Sequence, residues 1–181
     1  MTSPRPRYTD AEFPPYSYVP GHAAHPVSNP AGHSHGTEHR SPPPLTPASW
    51  QESPEYLYGI DLFNHGYYWE AHEAWEALWL AAGRHGSVAD FLKGLIKLAA
   101  AGVKAREGNP RGVQRHGLRA IELLCSVQSQ LGPAEDYCGV RLAGLIESAS
   151  ALARDAVLQF AKPEPHLLLD VWLAVNDSQS H

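Results

Sequence analysis

The chain has 181 residues, of which 43% are hydrophobic and 18% charged, and its formal net charge is -5. This size suits one folded domain with a hydrophobic core and is too small for two full ones. The two cysteines, Cys125 and Cys138, are too few for a disulfide framework and lack the doublet spacing of a zinc site. No run of ~20 apolar residues and no apolar segment typical of a secretory signal occurs. We therefore expect a cytoplasmic protein that does not enter a membrane.

Residues 1–50 hold 11 of the 16 prolines, which remove the backbone donors that helices and central strands need. We predict an irregular extension over 1–50, a helical domain over 51–160 and an irregular C-terminal tail over 161–181. The aromatic-proline stretch 13–20 is either disordered or docked across a groove of the folded body. The extension also holds 5 of the 11 histidines, which we attribute to chance composition, since flexible His-rich tracts bind divalent metals without specificity: His22, His25, His33, His35 and His39.

Five helices are predicted from apolar periodicity and from glycine and proline positions, with no competing strand pattern. They cover about residues 54–64, 67–82, 87–107, 110–131 and 140–157. Gly66 interrupts or kinks the chain between the first and second helices, and Gly83 and Gly108 end the second and third helices. Because the connections are short, neighbouring helices pack antiparallel. The predicted fold is an all-α, up-and-down bundle of four to five helices.

Charge is distributed unevenly along the predicted helices. Residues 51–83 hold six acids and no base, whereas residues 84–119 hold eight bases and two acids. The bases are spread over two helices of an acidic protein without a recognition motif, which argues against nucleic acid as a partner. Three of them form a stripe on the third helix that can face the acids of the second: Lys93, Lys97 and Lys104.

The second helix carries the densest group of reactive side chains. At ~100° per residue, His72 and Glu76 lie along one margin of its aromatic face, and Glu70 and Glu73 lie beyond the other. The members of each pair are spaced to reach one ion or one hydrogen-bond partner. A zinc-protease motif needs His where Glu76 stands, and a di-iron bundle needs Glu where Trp69 stands, three residues before His72. The spacing therefore argues against both of these metal sites.

Three motifs follow one another in the helical region. They are Phe63-Asn-His-Gly-Tyr-Tyr-Trp-Glu-Ala-His-Glu-Ala-Trp-Glu-Ala-Leu-Trp79, then Phe91-Leu-Lys-Gly-Leu-Ile-Lys-Leu-Ala99, then Gly108-Asn109. Together they resemble the domain of unknown function 309 family, over about residues 55–130. The resemblance implies an all-α fold and brings no established activity.

Two hypotheses for the function stay open, one of which makes the protein an enzyme. In the first, Glu70 and Glu73 are metal ligands or a base and His72 is a ligand or proton shuttle, in a site that binds a metal or small molecule and permits hydrolysis. The ligand-binding candidates around this site are Asn64, Glu76 and Lys97. In the second, the Glu/His network is structural and the helices form a binding or scaffold module for a protein partner or a homo-oligomer. Convergence of Glu70, His72, Glu73 and Lys97 in one pocket favours the first.

Overall fold

The computed structural model describes residues 6–37, 40–131, 136–156 and 173–175. Within them lie five helices: α1 (Pro54–Asn64), α2 (Tyr68–Ala81), α3 (Ser87–Arg106), α4 (Pro110–Leu131) and α5 (Leu142–Arg154). A short 3-10 turn, Trp50–Glu52, precedes α1. Each helix packs against the next one in the chain, which confirms the predicted all-α bundle. None of the helices in the described residues is long and apolar enough to cross a membrane.

Glycine ends the first three helices in the same way, with φ angles of 86° at Gly66, 75° at Gly83 and 68° at Gly108. In each case the amide after the glycine donates to the carbonyl five residues earlier, at 2.8, 3.2 and 2.9 Å respectively. This is the Schellman arrangement, which needs a positive φ. The predicted interruption at Gly66 is thus a connection between two separate helices.

Aromatic side chains fill the space between α1, α2 and α3. Trp75 is fully buried, and its ring centroid lies 5.9 Å from that of Phe63. The ring of Tyr68 fills the space in front of Gly102, where an added Cβ would lie 2.4 Å from the ring. Gly102 therefore lets α3 approach α2 closely, which fixes the position of the first turn of α2.

The sequence pattern indicated no strand, but the structure has one short hairpin. A two-stranded antiparallel hairpin, β1 (Asp136–Tyr137) and β2 (Val140–Arg141), precedes α5. Cys138 and Gly139 form its turn with φ angles of 47° and 77°, as a type I′ turn requires. Strands of two residues are too short to produce an alternating pattern. The fifth helix therefore begins at Leu142, two residues after its predicted start.

The described part of residues 6–49 contains turns but neither helix nor strand, and it lies against the helices. Val19 is 1% exposed, although it stands among prolines and polar residues. The ring of Phe13 stacks on that of Tyr67 with the centroids 4.9 Å apart. Of the two alternatives for residues 13–20, the structure has the docked one.

Of the tail predicted over residues 161–181, the structure describes 173–175 only, and the rest of that prediction lies outside the described residues, as does His39. Leu173 is fully buried. Val175 forms an isolated antiparallel bridge with Val140. This short segment therefore joins the hairpin to the body of the protein.

Candidate functional site

Glu70 lies in the first turn of α2 and is only 6% exposed. Its Oε1 accepts a hydrogen bond from the Tyr18 amide at 2.8 Å and lies 3.4 Å from Nε2 of His33. Its Oε2 has no hydrogen-bond partner among the described residues. Burial raises the pKa of Glu70 to about 7, against the opposing effects of the Tyr18 amide, the Ser17 hydroxyl and the Arg106 charge. A carboxyl group with this pKa exchanges protons at neutral pH.

His33 connects Glu70 to the hydroxyl of Ser34. The His33 Nδ1 lies 2.9 Å from Ser34 Oγ. When Glu70 is ionised its carboxylate only accepts, so in that state Nε2 carries the proton and donates to Glu70, and Nδ1 accepts from the serine hydroxyl. The His33 side chain is 9% exposed, and burial lowers its pKa below the ordinary 6.5. The ring is therefore neutral at neutral pH and able to accept a proton.

A tight turn holds His33 in place. The amide of Ser34 donates to the carbonyl of Pro26 at 3.0 Å, which closes the loop formed by residues 26–34. Gly32 makes this closure possible, because a Cβ there would lie 2.3 Å from the carbonyl oxygens of His25 and Pro26. Since those obstacles are backbone atoms, no side-chain movement would relieve the clash. The loop is thus built around a close backbone approach.

A cavity of about 510 Å³ opens beside Glu70, between the extension and α2. Small-molecule sites typically measure ~300–1,000 Å³. Most other lining residues are apolar or aromatic, including Trp69, Tyr58 and Leu62. Four acids line the cavity against two basic side chains, His33 and Arg40: Glu55, Glu70, Glu73 and Glu76. This lining favours a molecule with an apolar body and a positive charge.

Glu73 and Glu76 also meet the ring of His72. One ligand atom from each of the three residues lies within 4.8 Å of the other two, and His72 Nδ1 is 3.3 Å from Glu73 Oε1. Glu73 was predicted on the margin opposite to His72, but its carboxylate reaches across to the ring. One nitrogen and two oxygens are donors that can hold a divalent cation. His72 itself is not among the residues that line the cavity.

Lys97 also lies outside the cavity lining, in a basic group beside α2. Burial and the charge of Lys93 lower the pKa of Lys97, while Glu76 opposes the shift. Burial and the charge of Lys97 lower the pKa of His116 to about 4, so this imidazole is neutral at neutral pH. Lys93 and Lys104 have other contacts: Lys93 Nζ lies 3.7 Å from the centroid of the Trp79 ring, and Lys104 pairs with Glu107 at 2.6 Å. The three lysines of the predicted stripe therefore do not form one basic surface that pairs with the acids of the cavity.

Asn64 holds the C-terminal segment. Its Nδ2 donates to the carbonyl of Leu173 at 2.9 Å, and the amide of Leu173 donates to its Oδ1 at 3.1 Å. The side chain is fully buried and does not line the cavity. These two bonds fix the described tail segment against the end of α1.

Asp61 anchors the extension, and sequence reasoning missed it. Its fully buried carboxylate accepts from the amide of Tyr8 at 2.8 Å, and from the amide and hydroxyl of Thr9 at 2.9 and 2.7 Å. Arg7 Nε lies 3.9 Å from the same carboxylate. The second buried acid, Glu70, holds the extension at Tyr18. Two buried carboxylates of the helical body thus accept hydrogen bonds from the extension.

The structure brings together only part of the predicted site. Glu70, Glu73 and Glu76 share the cavity, whereas His72 meets two of them from outside its lining and Lys97 lies elsewhere. Sequence reasoning missed the histidine that contacts Glu70, because His33 is 37 residues away in the chain. Asp61 could have been found, because an acid within the apolar run of α1 is unusual. For His33 the sequence offered only the histidine-rich composition of the extension.

Residues 56–116 match the model of a family described as Domain of unknown function (DUF309). The match supports the family assignment made from the motifs. It includes Asp61, Glu70 and the His72 cluster, and it leaves out the extension that supplies His33 and Ser34. No curated protein matches the chain.

Proposed function

We propose, for a chain whose residues 56–116 belong to the DUF309 family, that the cavity over Glu70 binds a small molecule carrying a positively charged amine. One observation carries this proposal: a nearly buried carboxyl group at the edge of a cavity has one oxygen without a partner among the described residues. Oε1 is engaged by the extension, and Oε2 is the oxygen without a hydrogen bond among the described residues; it is buried, so the amine reaches it only when the side chains that cover it move aside. A charged hydrogen bond to an amine would compensate the cost of burying this group.

The rest of the lining supports a cationic ligand. Glu73 and Glu76 add negative charge along α2, and Trp69 offers an aromatic ring in the cavity wall. Trp69 is packed edge-on against Tyr18 and His25, with centroids 5.3 and 5.4 Å away. A positioned indole ring attracts cations through its π face.

Binding is coupled to proton release in this proposal. Because the pKa of Glu70 is about 7, roughly half of the molecules carry a proton on this group at neutral pH. An amine cation next to the carboxyl favours the ionised form, so binding releases that proton. The affinity for amines is therefore expected to increase as the pH rises through about 7.

Isothermal titration of the full chain with phenethylamine and with phenylacetate tests the proposal. We expect the amine to bind and the carboxylate of similar shape not to bind. The double variant Glu73→Gln/Glu76→Gln should bind the amine about tenfold more weakly, because two nearby charges are lost. Glu147→Gln, an exposed acid on α5, is the matched control and should bind like the wild type. Equal binding of amine and carboxylate would contradict the proposal.

The alternatives are separated by the same titration. A divalent cation held by His72, Glu73 and Glu76 would use two acids of the cavity wall, so Zn²⁺ binding that depends on His72 and excludes the amine would favour a metal site. If neither ligand binds, a structural network in a scaffold module that self-associates or binds a protein partner becomes the better interpretation. The cytoplasmic location stays a prediction from the sequence.

A further inference from the structure

We propose that Ser34, His33 and Glu70 form a nucleophile, base and carboxylate that hydrolyse an ester group on the cationic molecule of the cavity. The inference rests on the proposed binding function and adds a reaction to it. Ser34 and His33 are the catalytic residues, and Glu70 is a positioning residue that acts through His33. The substrate class is an ester that carries an amine.

The three side chains are already arranged for this chemistry. Ser34 Oγ lies 2.9 Å from His33 Nδ1, within the ~2.6–3.2 Å expected between a nucleophile and its base. His33 Nε2 lies 3.4 Å from Glu70 Oε1, on the opposite side of the ring. All three residues line the same cavity. The serine is therefore next to bound ligand, and the carboxylate holds the base in the tautomer that accepts the serine proton.

The reaction balances without a further reagent. Ser34 Oγ attacks the ester carbonyl while its proton moves to His33 Nδ1, and the carbonyl π electrons move to the oxygen. When the carbonyl reforms, the ester C–O bond breaks and the leaving alkoxide takes the proton from Nδ1. Water then attacks the acyl-Ser34 ester with His33 again as base, which releases the carboxylic acid and restores the serine. Arg40, a cationic side chain, lines the same cavity as Ser34.

Glu70 has two tasks that fit its two oxygens. Oε1 stabilises the imidazolium that forms on His33, and Oε2 accepts from the substrate amine once the side chains that cover it move aside. The charged and titratable groups around Glu70 are His33 of the extension, Tyr58 and Tyr67 of the α1–α2 region, and Arg106 of α3. Three further acids share the cavity lining with it: Glu55, Glu73 and Glu76. Burial raises the pKa values of both tyrosines and lowers that of His33 below the ordinary 6.5, so Glu70 is the group of this set whose pKa lies at about 7.

Covalent labelling of the full chain with an alkyl fluorophosphonate tests the inference. We expect Ser34 Oγ to form a bond to phosphorus with loss of fluoride, detected on the peptide containing Ser34 by mass spectrometry. Ser34→Ala should abolish the label, and Ser28→Ala, an exposed serine of the same loop, should leave it unchanged. Glu70→Gln should slow labelling about tenfold or more and remove the rise of the rate with pH through about 7, which loss of packing alone would not do.

The outcomes distinguish this inference from the binding function. Amine binding without any labelling would overturn the hydrolytic role and leave the binding function standing. A label that persists in Ser34→Ala would overturn the assignment of the nucleophile. Absence of both amine binding and labelling would contradict the two proposals together. Hydrolysis of an amino-acid p-nitrophenyl ester faster than of p-nitrophenyl acetate, lost in Ser34→Ala, would support the substrate class.

Discussion

Replacing Glu70 with glutamine is expected to stabilise the protein at high pH. Near pH 8 the wild-type protein holds an ionised carboxylate in a buried position, since burial raises its pKa from 4.5 to about 7. Glutamine is neutral and still accepts the Tyr18 amide. A shift of this size, which already includes the opposing attraction of Arg106, corresponds to roughly 3 kcal/mol. Urea denaturation of wild type and variant near pH 8 measures the difference in the free energy of unfolding.

The pH dependence gives the same experiment a second readout. Between about pH 4.5 and 7 the folded state keeps the Glu70 proton that the unfolded state has released, so wild-type stability falls as the pH rises across this interval. The Glu70→Gln variant should lack this part of the slope, whereas Glu147→Gln should keep it. If Glu70→Gln lowers stability near pH 8, the carboxylate is compensated more fully than its surroundings indicate, and Oε2 is not available to a ligand.

Replacing Asp61 with alanine is expected to have the opposite effect. The change leaves the amides of Tyr8 and Thr9 and the hydroxyl of Thr9 without their acceptor. Because the carboxylate is fully buried and holds three hydrogen bonds, we expect a loss of about 3 kcal/mol in the free energy of unfolding. Part of this loss will appear as release of the extension rather than unfolding of the helices.

Hydrogen exchange and amine binding separate these two effects. In Asp61→Ala the amides of residues 8, 9 and 18 should lose protection while those of α3 keep it. Amine binding should weaken, because the extension supplies one wall of the cavity. Asp10→Ala is the matched control, since Asp10 is exposed in the same segment. Unchanged protection at residues 8 and 9 in Asp61→Ala would show that Asp61 does not anchor the extension.

The helices could be predicted because their signals are local. The apolar face of α3 repeats at the helical period, and Gly66, Gly83 and Gly108 mark the ends at which a positive φ is needed. The hairpin before α5 escaped prediction because its turn depends on a cysteine with a positive φ. A Cys-Gly pair is an uncommon turn signal compared with Asn-Gly.

Only part of the candidate site could be predicted from the sequence. Glu70 and Glu73 lie three residues apart on one helix, so their shared cavity wall followed from spacing, whereas Glu76 was predicted on the opposite margin. His72 was the nearest histidine in sequence, but the residue that contacts Glu70 is His33, from a segment interpreted as an irregular extension. Its position depends on the turn around Gly32 and on the contacts of Asp61 with the extension, neither of which leaves a periodic pattern.

The two buried acids of the helical body bind different parts of the extension. Asp61 binds the extension through three hydrogen bonds and does not itself line the cavity. Glu70 contacts the extension through the Tyr18 amide and the His33 ring, both at Oε1. Its Oε2 has no hydrogen-bond partner among the described residues. The strong attachment therefore lies away from the site, which leaves Glu70 free to change its protonation state while the extension stays in place.

The pKa of Glu70 in the intact protein, measured by NMR titration of its side-chain carboxyl carbon, tests most directly whether the extension and α2 form one site. We expect a value of about 7, because the carboxyl group is covered by the extension and nearly buried. A value near the ordinary 4.5 would mean that Glu70 is solvated, and would contradict both the burial of this group and the cavity built upon it.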